Sequence, residues 1–98
     1  MQVYRTDPNL FIEKANILKA LAHPQRLCIV KNLCERECST VTDMQSCLGE
    51  AQSTVSQHLS KLKSARIITG KREGTNVFYS IYDEEMKKKL KVILDEIF

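Results

Sequence analysis

The side chains best suited to binding chemistry in this chain lie on one predicted helix, residues 52–64. Val55, Leu59 and Leu62 follow the i, i+4, i+7 spacing of a buried helical stripe. At about 100° per residue, the opposite side of the helix carries hydroxyls, amides and one cation, and no bulky apolar residue. The side chains of this face and its flanks are Gln52, Ser53, Thr54, Ser56, Gln57, Ser60 and Lys61. Side chains of these types can reach base edges and phosphates in the major groove of double-stranded DNA.

An ordinary solvated helix face would carry similar residues, so the flanking segments decide between the two interpretations. Residues 67–82 form two runs rich in Ile, Val, Phe, Tyr and Thr around Glu73-Gly74-Thr75-Asn76, which predicts a β-hairpin. Between positions 51 and 72 the chain has five basic residues and no acidic residue. A narrow basic hairpin can follow a phosphate backbone or enter a minor groove. The candidate contacts of this hairpin are Lys71, Arg72, Thr75 and Asn76.

The remaining segments predict four more helices that would hold this face in place. Asp7 is a predicted N-cap with Pro8 at the first helical position, and Ser39 or Thr40 is expected to cap the third helix. Gly49 marks the turn between the third and fourth helices. The four additional helices are predicted at residues 8–22, 24–35, 41–48 and 83–98. This order indicates a mainly α fold with a small β-hairpin, a winged helix-turn-helix with five helices and a two-stranded wing, as one DNA-binding domain over residues 1–98.

Length and charge narrow the class of protein further. The chain has 98 residues and a formal net charge of +3, so the position of the charge is more informative than its size. No segment approaches the roughly 20 apolar residues of a membrane span, and no signal peptide is apparent, so we expect a cytoplasmic protein with reduced thiols and no membrane partner. Without a Gly-rich phosphate loop or a paired-His metal motif, the sequence does not predict an enzyme.

The two terminal helices carry more apolar surface than a small three-helix core can absorb. Phe11 and Leu18 belong to the apolar positions of the first helix, and Leu90, Ile93 and Ile97 to those of the last. We therefore expect a homodimer built from the first and last helices. A two-fold dimer would place two DNA-contacting helices about one helical turn of DNA, roughly 34 Å, apart on a palindromic site.

Three segments together resemble the ArsR/SmtB repressors, over about residues 10 to 95. They are Leu21-Ala22-His23-Pro24-Gln25-Arg26-Leu27, the segment Ser53-Thr54-Val55-Ser56-Gln57-His58-Leu59-Ser60-Lys61-Leu62, and Lys71-Arg72-Glu73-Gly74 followed by Val77-Phe78-Tyr79. The resemblance implies a dimeric winged-helix repressor that leaves its operator when an effector binds. By position, it assigns the DNA-reading helix to residues 52–61 and the wing to residues 71–76.

The two histidines are expected to be structural. His58 lies at the edge of the buried stripe of the fourth helix, so packing or a backbone hydrogen bond is favoured over base contact. His23 precedes a proline at a helix junction.

The chain departs from the metal-sensing pattern of the family it resembles. Such sensors often carry two cysteines, separated by one residue, at the start of the third helix, where this chain has Thr40 and Thr42. A second family site uses Asp and His on the last helix, and residues 83–98 contain no histidine. No cofactor is therefore assigned, and the metal, if any, is unknown from the sequence.

The four cysteines leave three alternatives open for the effector. The first is a site for a soft metal or metalloid ion, since thiolates bind such ions and the alternative brings Cys34, Cys38 and Cys47 together across the junction of the second and third helices. Reversible oxidation or persulfide formation is the second alternative. Buried thiols that act only as small apolar groups are the third. The candidate effector thiols are Cys28, Cys34, Cys38 and Cys47.

The sequence therefore predicts a sequence-specific DNA-binding transcriptional regulator, a repressor released from a palindromic operator by an effector acting on cysteine thiols. One alternative is a winged-helix module for protein contact without DNA binding, whose expected mark is an apolar outer face on residues 52–64. The other is a DNA-binding regulator with no cysteine-based sensing.

Overall fold

The computed structural model describes residues 3–36 and 39–98 of the chain. Five helices and one hairpin follow each other in the predicted order. They are α1 (Pro8–Leu21), α2 (Pro24–Glu35), α3 (Val41–Leu48), α4 (Gln52–Ser64), β1 (Ile68–Glu73), β2 (Asn76–Ile81) and α5 (Glu84–Ile97). This arrangement confirms the predicted winged helix-turn-helix, with shifts of one residue at the end of α1 and at both ends of α5.

Side-chain caps explain where α1, α3 and α5 begin. Asp7 accepts a hydrogen bond from the first turn of α1, and Asp83 does the same at α5. At α3, the Thr40 hydroxyl accepts from the backbone N–H of Asp43, and the Asp43 carboxylate accepts from the backbone N–H of Thr40. Of the two predicted caps for α3, Thr40 is therefore the one that is used, and Ser39 takes another role.

The wing is attached to the helices through the segment that precedes α3. Strands β1 and β2 pair antiparallel, with Ile68 opposite Ile81, and a tight turn at Gly74 (φ +63°) joins them. Ser39 and Tyr79 exchange both backbone hydrogen bonds, at 2.9 and 2.8 Å. This bridge extends the pairing beyond the hairpin and connects the base of the wing to the start of α3.

One hydrophobic core joins α2, α4, the base of the wing and α5. Val30, Val55, Leu62 and Ile67 have no exposed surface. Burying side chains of this size contributes about 1.5–3 kcal/mol each. The other core residues are Ala20, Leu21, Ile29, Leu33, Cys34, Met44, Leu59, Ile68, Ile81, Leu90 and Leu94. The helix α4 is therefore held by its apolar stripe, as the spacing of Val55, Leu59 and Leu62 predicts.

The terminal helices leave much of their apolar surface uncovered in the single chain. Leu18 on α1 is 59% exposed and Ile97 on α5 is 62% exposed, while Phe11 and Ile93 are also open to solvent. Only Ala20 and Leu21 of α1 are buried. Within the described residues, no helix is both long enough and apolar enough to span a bilayer.

Candidate nucleic-acid interface

The turn that sets the direction of α4 depends on Gly49, whose backbone is left-handed. Gly49 follows α3 with φ +67° and ψ +34°, and its N–H donates to the carbonyl of Gln45 at 2.9 Å. Glycine adopts this conformation without the steric cost that a Cβ brings. Two residues later, Ala51 is the N-cap of α4 and has no side-chain oxygen to accept from the first-turn amides. The N-terminal end of α4 therefore keeps hydrogen-bond donors that can face an anion.

The polar side chains of α4 lie on its outer surface, opposite the core. Val55, Leu59 and Leu62 are at most 2% exposed. Thr54 on the flank is half-buried. The exposed members of the set are Gln52, Ser53, Ser56, Gln57, Ser60 and Lys61. This outer face offers amide, hydroxyl and ammonium groups and no apolar patch, which argues against a protein-docking face on α4.

The basic tip of the wing is open to solvent as well. Lys71, Arg72, Thr75 and Asn76 are all exposed. The Nζ of Lys71 lies 3.8 Å from a carboxylate oxygen of Glu73, and both side chains are largely exposed. An exposed pair of this kind contributes little free energy, so the ammonium can exchange its partner for a phosphate at small cost.

One further cation lies beside α4 and could not be found from the sequence pattern. Lys19 of α1 is exposed and lines a cleft together with Ser60 and Lys61. Arg26 also reaches this cleft, but it is buried and its Nε donates to the carbonyl of Ala20 at 2.6 Å. Lys19 therefore adds positive charge near the C-terminal half of α4, whereas Arg26 holds α1 and α2 together. Only the packing of α1 against α4 brings Lys19 there.

His58 is buried on the inner edge of α4, as expected, but its partner is a side chain and not the backbone. Its Nε2 lies 2.9 Å from Oε1 of Gln25, and its ring centroid lies 4.5 Å from that of His23. Burial lowers the pKa of His58, and the nearby His23 and Arg26 lower it further. His23 is the N-cap of α2, where its Nδ1 accepts from the backbone N–H of Gln25 at 3.1 Å.

The candidate thiols occupy two different places. Cys28 of α2 is half-buried and Cys47 of α3 is exposed, and both line one small apolar recess between these helices. The sulfur of Cys28 accepts from Nδ2 of Asn32 at 3.4 Å. Cys34 lines a separate cleft against α5. The structure therefore does not bring Cys34 to Cys47, as a soft-ion site shared by Cys34, Cys38 and Cys47 would require. Cys38 lies outside the described residues.

Burial distinguishes Cys34 from the other two described thiols. Its side chain is part of the core, and this burial raises the pKa of the thiol, although Lys91 and Lys87 oppose the effect. Cys34 is therefore a poor nucleophile at neutral pH. Among residues 3–36 and 39–98, no three Cys, His, Asp or Glu side chains gather as a metal ion would require.

Comparison with known proteins places the chain in a family. The model of the bacterial regulatory protein, arsR family, matches residues 23–69, from the start of α2 into β1. The transcriptional repressor PagR of Bacillus anthracis is 36% identical over 81 residues, which are 83% of this chain and 81% of that protein. The HTH-type transcriptional regulator MJ1325 of Methanocaldococcus jannaschii is 40% identical over 83 residues, 85% and 92% of the two chains.

A solved structure agrees with the sequence matches. The homodimeric winged helix-turn-helix DNA-binding domain of Mb0332 from Mycobacterium bovis, a possible ArsR-family transcriptional regulator, has a TM-score of 0.85 and 26% identity. The alignment covers 99% of this chain and 87% of that domain. A family of regulators also agrees with the expectation that the chain is not an enzyme. The chain belongs to the ArsR family of bacterial regulatory proteins and is a DNA-binding transcriptional regulator.

Proposed function

We propose that this protein is a homodimeric repressor that binds a palindromic operator through α4 and the wing, and that leaves it when an effector acts on its thiols. The observation that carries the DNA-binding part is the outer face of α4. Gln57 and Lys61 are exposed there, on a helix whose other side is fully packed into the core. The exposed basic wing extends the same kind of surface to the phosphate backbone.

The uncovered apolar surface of α1 and α5 supports the homodimer. Leu18 and Ile97 are more than half exposed, and Phe11 and Ile93 add to the same helices. Exposed apolar side chains that cluster on two helices are a common mark of a protein interface. The related Mb0332 domain is described as homodimeric, which favours a second copy of this chain as the partner.

The recess between α2 and α3 supports the effector part of the proposal. Cys28 lies on α2 and Cys47 on α3, the two helices that form this recess, and the apolar side chains of Met44 and Leu48 also line it. The helix α3 continues through the Gly49 turn into α4. A group attached to either thiol, or a soft ion held by both, would therefore push on α3 and move α4 relative to the core.

The DNA-binding part is tested by titrating a labelled operator, obtained by selection from a random duplex pool with the wild-type protein. We expect Gln57→Ala to reduce the preference for the selected sequence, since it removes a base-reading amide. Lys61→Ala should weaken binding on all sequences. It should also reduce the slope of log K against log salt concentration by the equivalent of about one phosphate contact per protomer. Lys88→Ala, on the exposed side of α5, is the matched control and should bind like wild type. Unchanged binding in both α4 variants would refute the proposed interface.

The effector part needs its own set of variants. Arsenite, hydrogen peroxide and inorganic polysulfide are the probes, and release of the wild type from the operator is the signal. We expect Cys28→Ser and Cys47→Ser to reduce release, and Cys34→Ser to leave it unchanged. Release that is insensitive to all three substitutions, and to Cys38→Ser, would instead identify a regulator without cysteine sensing.

A further inference from the structure

A part-buried polar network connects the start of α2, the turn before α4, and α4 itself. Nε2 of Gln25 lies 2.8 Å from Oε1 of Glu50, and Oε1 of Gln25 lies 2.9 Å from Nε2 of His58. Glu50 is in the turn between α3 and α4, and His58 is in the middle of α4. One amide therefore bridges two elements that are 25 and 33 residues away in the chain.

The direction of each hydrogen bond follows from the chemistry of the groups. The Glu50 carboxylate can only accept, so the amide NH₂ of Gln25 must point to it. The amide oxygen then faces His58, whose Nε2 must carry a hydrogen and donate it. The lowered pKa of His58 favours the neutral ring, which is then the Nε2–H tautomer. On the other side, Nδ1 of His23 accepts from the Gln25 backbone and is therefore unprotonated. All three of these hydrogen bonds can form with His58 in its neutral Nε2–H form.

We propose that Gln25 is a positioning residue for DNA recognition: its amide fixes the rotation of α4 about its own axis by holding Glu50 and His58 at once. The apolar stripe of α4 holds the helix against the core, but hydrophobic packing is non-directional and does little to fix the rotation of the helix about its axis. The hydrogen bond from the His58 ring to Gln25 depends on angle as well as distance, so it restricts this rotation. Since Gln57 and Lys61 are exposed on the outer face of the same helix, rotation of α4 would move them out of register with the groove.

The base of this network is itself fixed. Gln25 lies in the first turn of α2, which His23 caps, and the neighbouring Arg26 is tied to the end of α1 by its 2.6 Å hydrogen bond to Ala20. The charged and titratable groups that face His58 come from every element around it. They are His23 before α2, Arg26 on α2, Glu50 in the turn and Lys61 on α4 itself.

The inference rests on the proposed DNA-binding function, so the experiment separates the two. Wild type, Gln25→Leu, Gln25→Glu and the double variant Gln25→Glu/Glu50→Gln are titrated against the selected operator at pH 7.5. The double variant exchanges amide and carboxylate, so that a donor again faces an acceptor and the His58 N–H keeps an oxygen partner. Gln45→Leu, on α3 and outside the network, is the matched control. Thermal unfolding of each variant shows whether it is folded.

We expect Gln25→Leu to weaken operator binding about tenfold, since it removes two hydrogen bonds that hold α4. Gln25→Glu should also weaken binding because two carboxylates would face each other. The double variant should return to within about twofold of wild type. A proton titration of the His58 ring by NMR gives a second signal, because a carboxylate in place of the amide raises the pKa of His58 in both Glu-bearing variants.

Two outcomes contradict the inference alone, and a third refutes the proposed DNA-binding function as well. If Gln57→Ala loses binding while Gln25→Leu binds like wild type, the network does not position α4. If the double variant is folded but stays as weak as Gln25→Glu, the hydrogen bonds are not the cause. A wild-type protein that selects no DNA sequence refutes the proposed function, and the inference with it.

Discussion

At the scale of single residues, His58 makes the free energy of unfolding depend on pH. Its pKa is lowered, first by burial and then by His23 and Arg26. The unfolded chain therefore binds a proton at a pH where the folded chain does not, so the free energy of unfolding rises with pH across that interval. The stabilising effect of the neutral ring is present above the ordinary histidine pKa and is lost as the pH falls below it.

We therefore expect the wild-type protein to become less stable on acidification from pH 7.5 to pH 5.5, and His58→Gln to show a shallower dependence. Glutamine retains an N–H that can donate to Gln25, but it does not titrate in this range. Urea unfolding at several pH values measures the effect. Equal pH dependence in both proteins would show that another group is responsible.

The thiols differ in their expected reactivity for a physical reason. Burial raises the pKa of Cys34, so its thiolate is scarce at pH 7. Of the three described thiols, we expect iodoacetamide to modify exposed Cys47 first and Cys34 last, and we expect modification of Cys34 to require a more alkaline buffer. Mass spectrometry of peptides from the native protein gives the order. Early modification of Cys34 at pH 7 would contradict its burial in the core.

The sequence was informative about some residues of the site and silent about others. The spacing of Val55, Leu59 and Leu62 is local, so it was enough to predict the buried and exposed sides of α4. The partner of His58 could not be predicted, because Gln25 is 33 residues away and meets it only after α2 and α4 have packed. For the same reason, Lys19 was not among the expected cations near α4.

At the scale of elements, the turn between α3 and α4 depends on Gly49. Its φ of +67° is unfavourable for residues with a Cβ, although no atom lies within 4 Å of where a Cβ would stand. We expect Gly49→Ala to reduce the free energy of unfolding by about 1 kcal/mol through backbone strain alone. Gly49→Asn should cost less, since asparagine tolerates this conformation. Chemical denaturation compares the two, and equal stability of wild type and Gly49→Ala would contradict the strain.

Most element boundaries were predictable because their signals are local. Asp7 and Thr40 are caps that can be recognised from residue type and position, whereas Asp83 was expected as the first residue of α5 and is its N-cap. The end of α4 carries no such signal. Arg66 adopts φ +58° there, a conformation that usually belongs to glycine or asparagine. The backbone N–H groups of Arg66 and Ile67 donate to the carbonyls of Lys63 and Leu62, each at 3.0 Å, and Ile67 packs into the core, so these contacts together hold the left-handed turn.

At the scale of the whole molecule, the exposed apolar faces of α1 and α5 determine the expected assembly. Leu18→Glu or Ile97→Glu would place a carboxylate in the proposed interface, where its desolvation opposes association. We expect each variant to shift toward monomer and to bind the palindromic operator more weakly. Lys88→Glu places the same carboxylate on an exposed part of α5 and is the control.

Analytical ultracentrifugation at micromolar concentration reports the assembly directly. Wild type should sediment as a dimer and the two interface variants as monomers or mixtures. A monomeric wild type would contradict the homodimer, whatever its DNA affinity.

The central claim is that the outer face of α4 meets DNA, and the salt dependence of operator binding tests it most directly. Fluorescence anisotropy titrations of wild type, Lys61→Ala and Lys88→Ala are made over a range of salt concentrations. We expect the slope of log K against log salt to fall for Lys61→Ala by about one phosphate contact per protomer and to stay unchanged for Lys88→Ala. Equal slopes for wild type and Lys61→Ala, with both proteins folded, would contradict the placement of α4 on the DNA.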